Sequence, residues 1–212
     1  MEKQDKVIAL IMSVLFLVLV GVLLITFLNK GGEKSYLYSG PGGDYAFFVR
    51  KDPASGLEVN YLRTYIEGRY EYQIPLRNSP FDLEDVPLED VKDIILVESD
   101  NNKNDYIYIT QNNNMVNLTD GGSTIAAYEI GLVTGIGRVY GIYTDLASTE
   151  ENNNGLKVVT CDNVPENVGI IELRFGEPRI YAEGECVIVQ GNDKDSIISS
   201  AEKLIMHLIG VF

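Results

Sequence analysis

The chain has 212 residues and a formal net charge of −14, with 45% hydrophobic and 23% charged residues. These proportions are those of a folded protein, because an intrinsically disordered chain carries too few apolar residues to form a core. The acidic balance argues against a nucleic-acid-binding surface, which needs clustered lysine and arginine side chains to contact phosphates. For the same reason it does not favour binding to anionic lipid headgroups.

The segment of residues 7–28, VIALIMSVLFLVLVGVLLITFL, contains no charged residue. At about 1.5 Å per residue, a helix of this length spans about 33 Å, enough to cross a bilayer core of about 30 Å. A cleaved signal peptide is the alternative, but its apolar region would be about 7–15 residues long and would end in small residues. The segment therefore predicts a retained transmembrane helix, preceded by a short inner tail at residues 1–6.

The lysines that flank the predicted span do not decide its orientation. Lys3 and Lys6 precede it, and Lys30 and Lys34 follow it, so the positive-inside rule gives a tie. The orientation has to be inferred from the cysteines and from a possible glycosylation site.

The two cysteines of the chain, Cys161 and Cys186, favour an oxidising compartment. A disulfide between them would close a loop of about 26 residues and stabilise the domain by about 3–4 kcal/mol. Disulfides persist outside the cytosol, although two buried, reduced cysteines are the alternative reading. Asn117 begins the sequence Asn-Leu-Thr, a candidate site of N-glycosylation. Together these features predict a single-pass membrane protein whose C-terminal domain lies outside the cytoplasm.

A glycine-rich segment follows the predicted span. Residues 29–43, NKGGEKSYLYSGPGG, contain the glycine and proline residues that are typical of a flexible linker. We expect this segment to form a stalk, and residues 44–212 to form one extracytoplasmic domain.

Several segments of the domain predict β-strands, and the first three of them alternate apolar or aromatic residues with polar ones. Glu67 and Gly68 are expected to form a turn between the second and the third. The predicted strands are residues 45–50, 57–66, 69–77, 94–98, 106–110, 139–144, 157–161, 169–175, 179–183 and 186–190.

Two segments show the periodicity of amphipathic helices, residues 123–137 and residues 195–210. Ser123 is expected to cap the first, and Asp193 or Asp195 the second, with Gly210 at the end of the second. The predicted apolar positions are Ile125, Tyr128, Leu132 and Ile136 in the first helix and Ile197, Ile198, Ala201, Leu204, Ile205 and Leu208 in the second. The fold class that follows is α/β or α+β, a mixed-sheet domain with two packed helices.

Asp100, Asn102 and Asn104 place side-chain oxygens at alternate positions, as at the start of a calcium-binding loop. The sixth position of such a loop should be glycine and is Asp105, and the twelfth should be glutamate and is Gln111. A polar surface loop is therefore the preferred reading, and we expect no metal and no cofactor.

The segment of residues 81–93 concentrates carboxylates, and a hydrolase could use two of them as acid and base if they shared a cleft. A solvated acidic connection is the preferred reading. His207, the one histidine of the chain, lies inside a predicted helix, so we assign no catalytic residue. The acidic residues of the segment are Asp82, Glu84, Asp85, Glu89, Asp90 and Asp93.

Four segments stand out together: RNSPFDLEDVPLE, the STIAAYEIG helix, the TCDN turn and GECVIVQGNDKDSIISSAEKLIMHLIG. They resemble a family, the uncharacterised single-span membrane proteins of small-genome archaea. The resemblance implies an archaeal envelope setting and an outward-facing domain, and it implies no activity.

The sequence thus favours a non-enzymatic envelope protein, held in the bilayer by residues 7–28, whose domain has a structural role or binds an envelope protein or copies of itself. Two alternatives stay open. One is a pilin-like filament subunit with a hydrophobic N-terminal helix, and the other is a membrane-anchored hydrolase that depends on carboxylates.

Overall fold

The structure, a computed structural model, describes residues 15–21, 34–53, 56–66, 70–96, 106–162, 164–165 and 167–212. The chain divides into one unit from Met1 to Lys34 and a second from Ser35 to Phe212. In the first unit, residues 15–21 are helical. The rest of the predicted span of residues 7–28 and the inner tail of residues 1–6 lie outside the described residues. In the described part of the chain, no helix has the length and apolar character needed to cross a membrane.

The second unit begins with an antiparallel sheet. Its strands are β1 (Lys34–Gly40), β2 (Gly43–Lys51), β3 (Glu58–Ile66) and β4 (Tyr70–Leu76), in the order β1-β2-β3-β4. Alternate residues of an antiparallel strand point to one face, and here Phe47, Leu62 and Ile74 lie side by side across β2, β3 and β4 and are fully buried. This row is the contribution of the first sheet to the core.

The predicted stalk of residues 29–43 is wrong for the residues that the structure describes. β1 and the start of β2 occupy this segment, and Pro41 and Gly42 form the turn between them. The glycine content indicated a linker, but Gly40 and Gly42 serve close packing. A Cβ at Gly40 would lie 2.0 Å from the carbonyl oxygen of Val211, and the N–H of Gly42 donates to the carbonyl of Gly210.

The second sheet is mixed. Its strands are β5 (Tyr106–Gln111), β6 (Tyr143–Ser148), β7 (Val168–Phe175), β8 (Arg179–Glu183) and β9 (Cys186–Gly191). They lie in the order β6-β5-β7-β9-β8. β6, β5, β7 and β9 run parallel to one another, and β8, at the edge, is antiparallel to β9.

Four α-helices are described in this unit: α1 (Lys92–Leu96), α2 (Met115–Leu118), α3 (Gly122–Thr134) and α4 (Lys194–Ile209). The expected signals at both ends of α4 are confirmed. Asp193 caps it by accepting a hydrogen bond from the N–H of Ser196 at 2.7 Å, and Gly210 ends it with a φ of 100°.

α4 lies at the centre of the core. Its side chains are buried almost continuously from Ile197 to Leu208, which an amphipathic surface helix would not show. One hydrophobic cluster joins its apolar residues to α3, to the buried row of the first sheet and to one face of the second sheet. The fold is therefore α+β, with two sheets that share a helical layer.

Two predicted strands are wrong. Residues 94–98 include the end of α1, because a short apolar run fits a buried helix as well as a strand. Residues 157–161 form a loop in which Val158 makes an isolated bridge to Ser148. In the segment of residues 139–144, the strand begins only at Tyr143.

The predicted apolar face of α3 is wrong in part, although Ile125 does pack against the core. Tyr128 is 66% exposed and Ile136 is 57% exposed, whereas Ala126 and Ala127 are buried. The buried face of α3 combines these small side chains, which allow close helix packing, with Ile130 and Val133. The helix starts one residue earlier than expected, and its N-cap is Gly121 rather than Ser123.

Candidate functional site

A cavity of about 610 Å³ opens between the first sheet and α3. Its apolar walls include Val59, Tyr61 and Leu132, and its polar lining includes Arg77 and Glu129. β3 and β4 supply one wall, and the exposed edge of α3 supplies another. An apolar cavity with a few convergent polar groups is the usual form of a small-ligand site.

Glu129 occupies α3 and is only 7% exposed. The guanidinium Nε of Arg77 lies 3.1 Å from its Oε1, whereas its Oε2 is buried without a hydrogen-bond partner in the described part of the chain. The position of α3 is fixed nearby, since the hydroxyl of Tyr72 donates to the carbonyl of Leu132 at 3.1 Å. The carboxyl of Glu129 is therefore held in place with unused capacity to accept hydrogen bonds.

Glu202, on α4, lies beside Glu129 and has no exposed surface. It accepts hydrogen bonds from the backbone N–H groups of Arg77 and Asn78, and from Nδ2 of Asn78 at 2.6 Å. The chain leaves β4 at these two residues, where the sheet no longer supplies acceptors. Glu202 takes over that role and thereby ties the end of β4 to the central helix.

The two carboxyls affect each other. Burial raises the pKa of Glu129 to about 7, the nearby charge of Glu202 contributes to this rise, and Arg77 opposes it. Burial also raises the pKa of Glu202, against the effect of its three N–H donors. Because Glu202 is fully hydrogen-bonded as an acceptor, Glu129 is the member of the pair that takes up a proton near neutral pH. A carboxyl of this kind in a cavity can bind a cationic or donor group, or exchange a proton with it.

The disulfide between Cys161 and Cys186 is present, with a Cα–Cα distance of 5.6 Å. Cys186 is the first residue of β9 and is fully buried. β9 is an inner strand of the second sheet, so the bridge does not lie at the edge of the sheet. The bridge instead holds the loop between β6 and β7 over the face of the second sheet that is turned away from α4, where Val159 and Ile170 form a smaller core.

The calcium candidates Asp100, Asn102 and Asn104 lie outside the described residues. In the described ranges, no group of three or more acidic, histidine or cysteine side chains could hold a metal ion. Asn117, the glycosylation candidate, is exposed on α2. The hydroxyl of Thr119 in the same sequon is buried, and it donates to the carbonyl of Met115 at 2.8 Å.

The acidic segment does not gather its carboxylates into one cleft. All six of the carboxylates considered are exposed. Asp82 accepts hydrogen bonds from the backbone and hydroxyl of Ser79, and Glu89 accepts one from the N–H of Ala182. Asp90 lies 3.2 Å from Nε2 of His207, whose Nδ1 is 3.1 Å from the carbonyl of Phe212. These contacts join the segment to its surroundings.

Sequence reasoning missed Glu129 and Glu202 as site residues. The available signal was a glutamate in the middle of each predicted helix, within a largely apolar segment, as in Ala-Tyr-Glu-Ile-Gly of α3. A charged residue in such a position requires a partner when it is buried. The partner, the end of β4, is distant in the sequence and could not be identified before the fold was known.

No protein-family model, curated protein or solved structure matches this chain. The resemblance to single-span archaeal envelope proteins therefore stays a prediction. Function has to be argued from the geometry of the domain and from the sequence of its N-terminal segment.

Proposed function

We propose that this protein is a single-pass membrane protein whose folded domain lies outside the cytoplasm and binds another protein of the cell envelope. In this proposal residues 7–28 cross the bilayer. The domain of residues 35–212 acts as a binding module, and no catalytic residue is assigned to it.

The observation that carries the proposal is the disulfide between Cys161 and Cys186. Cytosolic thiols are kept reduced, so a structural disulfide indicates an oxidising compartment. The bridge has a structural place in the fold, since it holds a long loop against a central strand and closes a second core. A redox-active pair would instead be accessible, and Cys186 is fully buried.

A binding role is supported by exposed aromatic and apolar side chains on the domain. Tyr70, Tyr128 and Tyr143 are each more than half exposed, as are Leu57 and Phe81. Tyrosine is enriched in protein interfaces because its ring contributes apolar area and its hydroxyl contributes a hydrogen bond.

The topology is tested by protease treatment of intact cells that carry a C-terminal epitope tag. We expect the domain to be digested or shed without cell lysis. Survival of the full-length tagged chain in intact cells, with digestion after lysis, would contradict the proposal.

The pilin-like alternative rests on the hydrophobic N-terminal segment, and it requires processing and assembly. Sequencing the mature N-terminus separates the two, because an intact Met1 speaks against pilin-type processing. The hydrolase alternative predicts that neutralising Asp82, Glu84 and Asp85 abolishes an activity without unfolding the domain. The three side chains are exposed, and Asp82 is engaged by hydrogen bonds from Ser79, which does not favour this alternative.

A further inference from the structure

Glu129 carries acceptor capacity that the described residues do not use. An ionised carboxylate offers about four lone-pair sites. The hydrogen bond from Arg77 uses Oε1, and Oε2 is without a partner in the described part of the chain. Burial of a polar atom without a hydrogen-bond partner costs free energy. The unpartnered oxygen of Glu129 is therefore a candidate contact for a ligand.

The charges around Glu129 favour a cationic ligand. Glu129 and Glu202 bring two carboxyls together, and Arg77 is the cation beside them. The side chain of Arg77 is 52% exposed, so solvent weakens its compensation of the buried pair. Glu202 is fully engaged by N–H donors from Arg77 and Asn78. The charge that needs a partner is therefore on Glu129, which faces the cavity.

The cavity wall next to Glu129 suits an apolar stem. Val59 and Leu132 offer aliphatic surface, and Tyr61 and Tyr128 offer aromatic rings, which attract cations. A firmly held divalent metal would need several protein ligands, and the described residues contain no group of three or more acidic, histidine or cysteine side chains that could hold one. A primary ammonium needs fewer acceptors and brings its own carbon chain.

We propose that this cavity is a binding site for a primary ammonium group on an apolar stem, with the carboxylate of Glu129 as its anchoring acceptor. The terminal torsion of a glutamate side chain is broad, so a small rotation presents the free oxygen to the cavity. Such a group exists in free alkylamines and in the side chain of lysine. The inference concerns the ligand and is independent of the topology proposed above, because it can be tested on purified protein.

The test is isothermal titration calorimetry on the full chain in detergent, with pentylammonium, Nα-acetyl-lysinamide and the uncharged 1-pentanol as probes. We expect saturable binding of an ammonium probe, with binding about 10- to 100-fold weaker for 1-pentanol and for the Glu129→Gln protein. Titration of each probe into the same detergent without protein corrects for partitioning of the probes into micelles.

Two further variants separate loss of the site from loss of the fold. Glu185→Gln removes an exposed carboxylate in the turn between β8 and β9, and it should bind as the wild type does. Leu132→Trp fills the cavity and should abolish binding while Glu129 stays intact; circular dichroism verifies that each variant is folded. Saturable binding of either ammonium probe supports the site, and the probe that binds more tightly identifies the source of the ligand. Tighter binding of Nα-acetyl-lysinamide indicates a protein side chain, and tighter binding of pentylammonium indicates a small molecule.

The pH dependence gives a second readout. The affinity for an ammonium probe should rise from pH 5 to pH 8, because Glu129 loses its proton over this range. The other charged groups at the cavity or beside the carboxyl pair are Arg77, Glu202, Asp52 and Glu58. Absence of saturable binding to the wild type, or unchanged affinity in folded Glu129→Gln protein, would overturn the proposal.

Discussion

The backbone N–H of Arg77 donates a hydrogen bond to the carboxylate of Glu202, although 125 positions separate the two residues in the chain. The adjoining N–H of Asn78 donates to the other oxygen of the same carboxylate. The first sheet is thus joined to the central helix by a buried side chain that replaces the strand neighbour which the end of β4 lacks. A helix that packs between two sheets needs such specific contacts, because apolar packing alone fixes its orientation less strictly.

Replacement of Glu202 by alanine should lower the free energy of unfolding by about 3 kcal/mol, because buried N–H donors lose their acceptor. Glu202→Gln keeps one acceptor oxygen and should cost less. Chemical unfolding, followed by the near-ultraviolet signal of the tyrosines, measures both, since the chain has thirteen tyrosines and no tryptophan. Equal stability of the wild type and the alanine variant would show that this carboxylate does not hold the sheet.

Glu129→Gln should change how stability depends on pH. Burial and Glu202 raise the pKa of Glu129 in the folded protein to about 7, above its value in the unfolded chain. The folded state therefore binds more protons than the unfolded state between about pH 4.5 and 7, and the wild type should lose on the order of 2–3 kcal/mol across that range relative to the variant.

The comparison is made by chemical unfolding at pH 4, 6 and 8. The wild type and Glu129→Gln should be closest in stability at pH 4, and the variant should gain on the wild type as the pH rises. The exposed control Glu185→Gln should run parallel to the wild type. If the stability of Glu129→Gln depended on pH in the same way as that of the wild type and of Glu185→Gln, Glu129 would be ionised in the folded protein over the whole range from pH 4 to pH 8.

Asp193→Ala should destabilise the domain by about 1 kcal/mol through loss of the α4 cap. The hydrogen bonds from Ser196 lower the pKa of Asp193, so this contribution is present at neutral pH and is lost as the pH falls through the folded-state pKa. Asp195→Ala is the matched control, since Asp195 lies in the first turn but does not cap it, and it should cost less than about 0.5 kcal/mol. A larger loss of stability for Asp195→Ala than for Asp193→Ala would show that Asp193 is not the residue that caps α4.

Replacement of both Cys161 and Cys186 by alanine should lower the free energy of unfolding by about 3 kcal/mol, as expected for a loop of this length. A reducing agent should lower the stability of the wild type and leave the double variant unchanged. The loop between β6 and β7 should also become sensitive to protease, because the bridge fastens it to β9. No shift in the unfolding midpoint of the wild type on reduction would contradict the structural role of the bridge.

Local signals in the sequence were sufficient for much of the fold. The alternation in β3 and β4, the apolar positions of α4 and the cap at Asp193 follow from the side chains of single segments. These features depend on neighbours in the chain, so no knowledge of the tertiary structure is needed to predict them.

What the sequence did not predict depends on contacts between distant segments. α3 buries Ala126, Ala127, Ile130 and Val133 and leaves Tyr128 exposed, because the elements that pack against it decide which face is buried. Gly40 and Gly42 lie against the end of α4 and not in a linker. The pairing of Glu129 with Glu202 arises only when α3, α4 and the end of β4 meet.

The central claim, a domain that folds and acts outside the cytoplasm, is tested most directly by counting thiols in protein isolated from its native membrane. The protein is denatured in an excess of alkylating reagent without prior reduction and analysed by mass spectrometry. The account predicts no alkylated cysteine and an intact link between Cys161 and Cys186. Alkylation of both cysteines in the native material would contradict it.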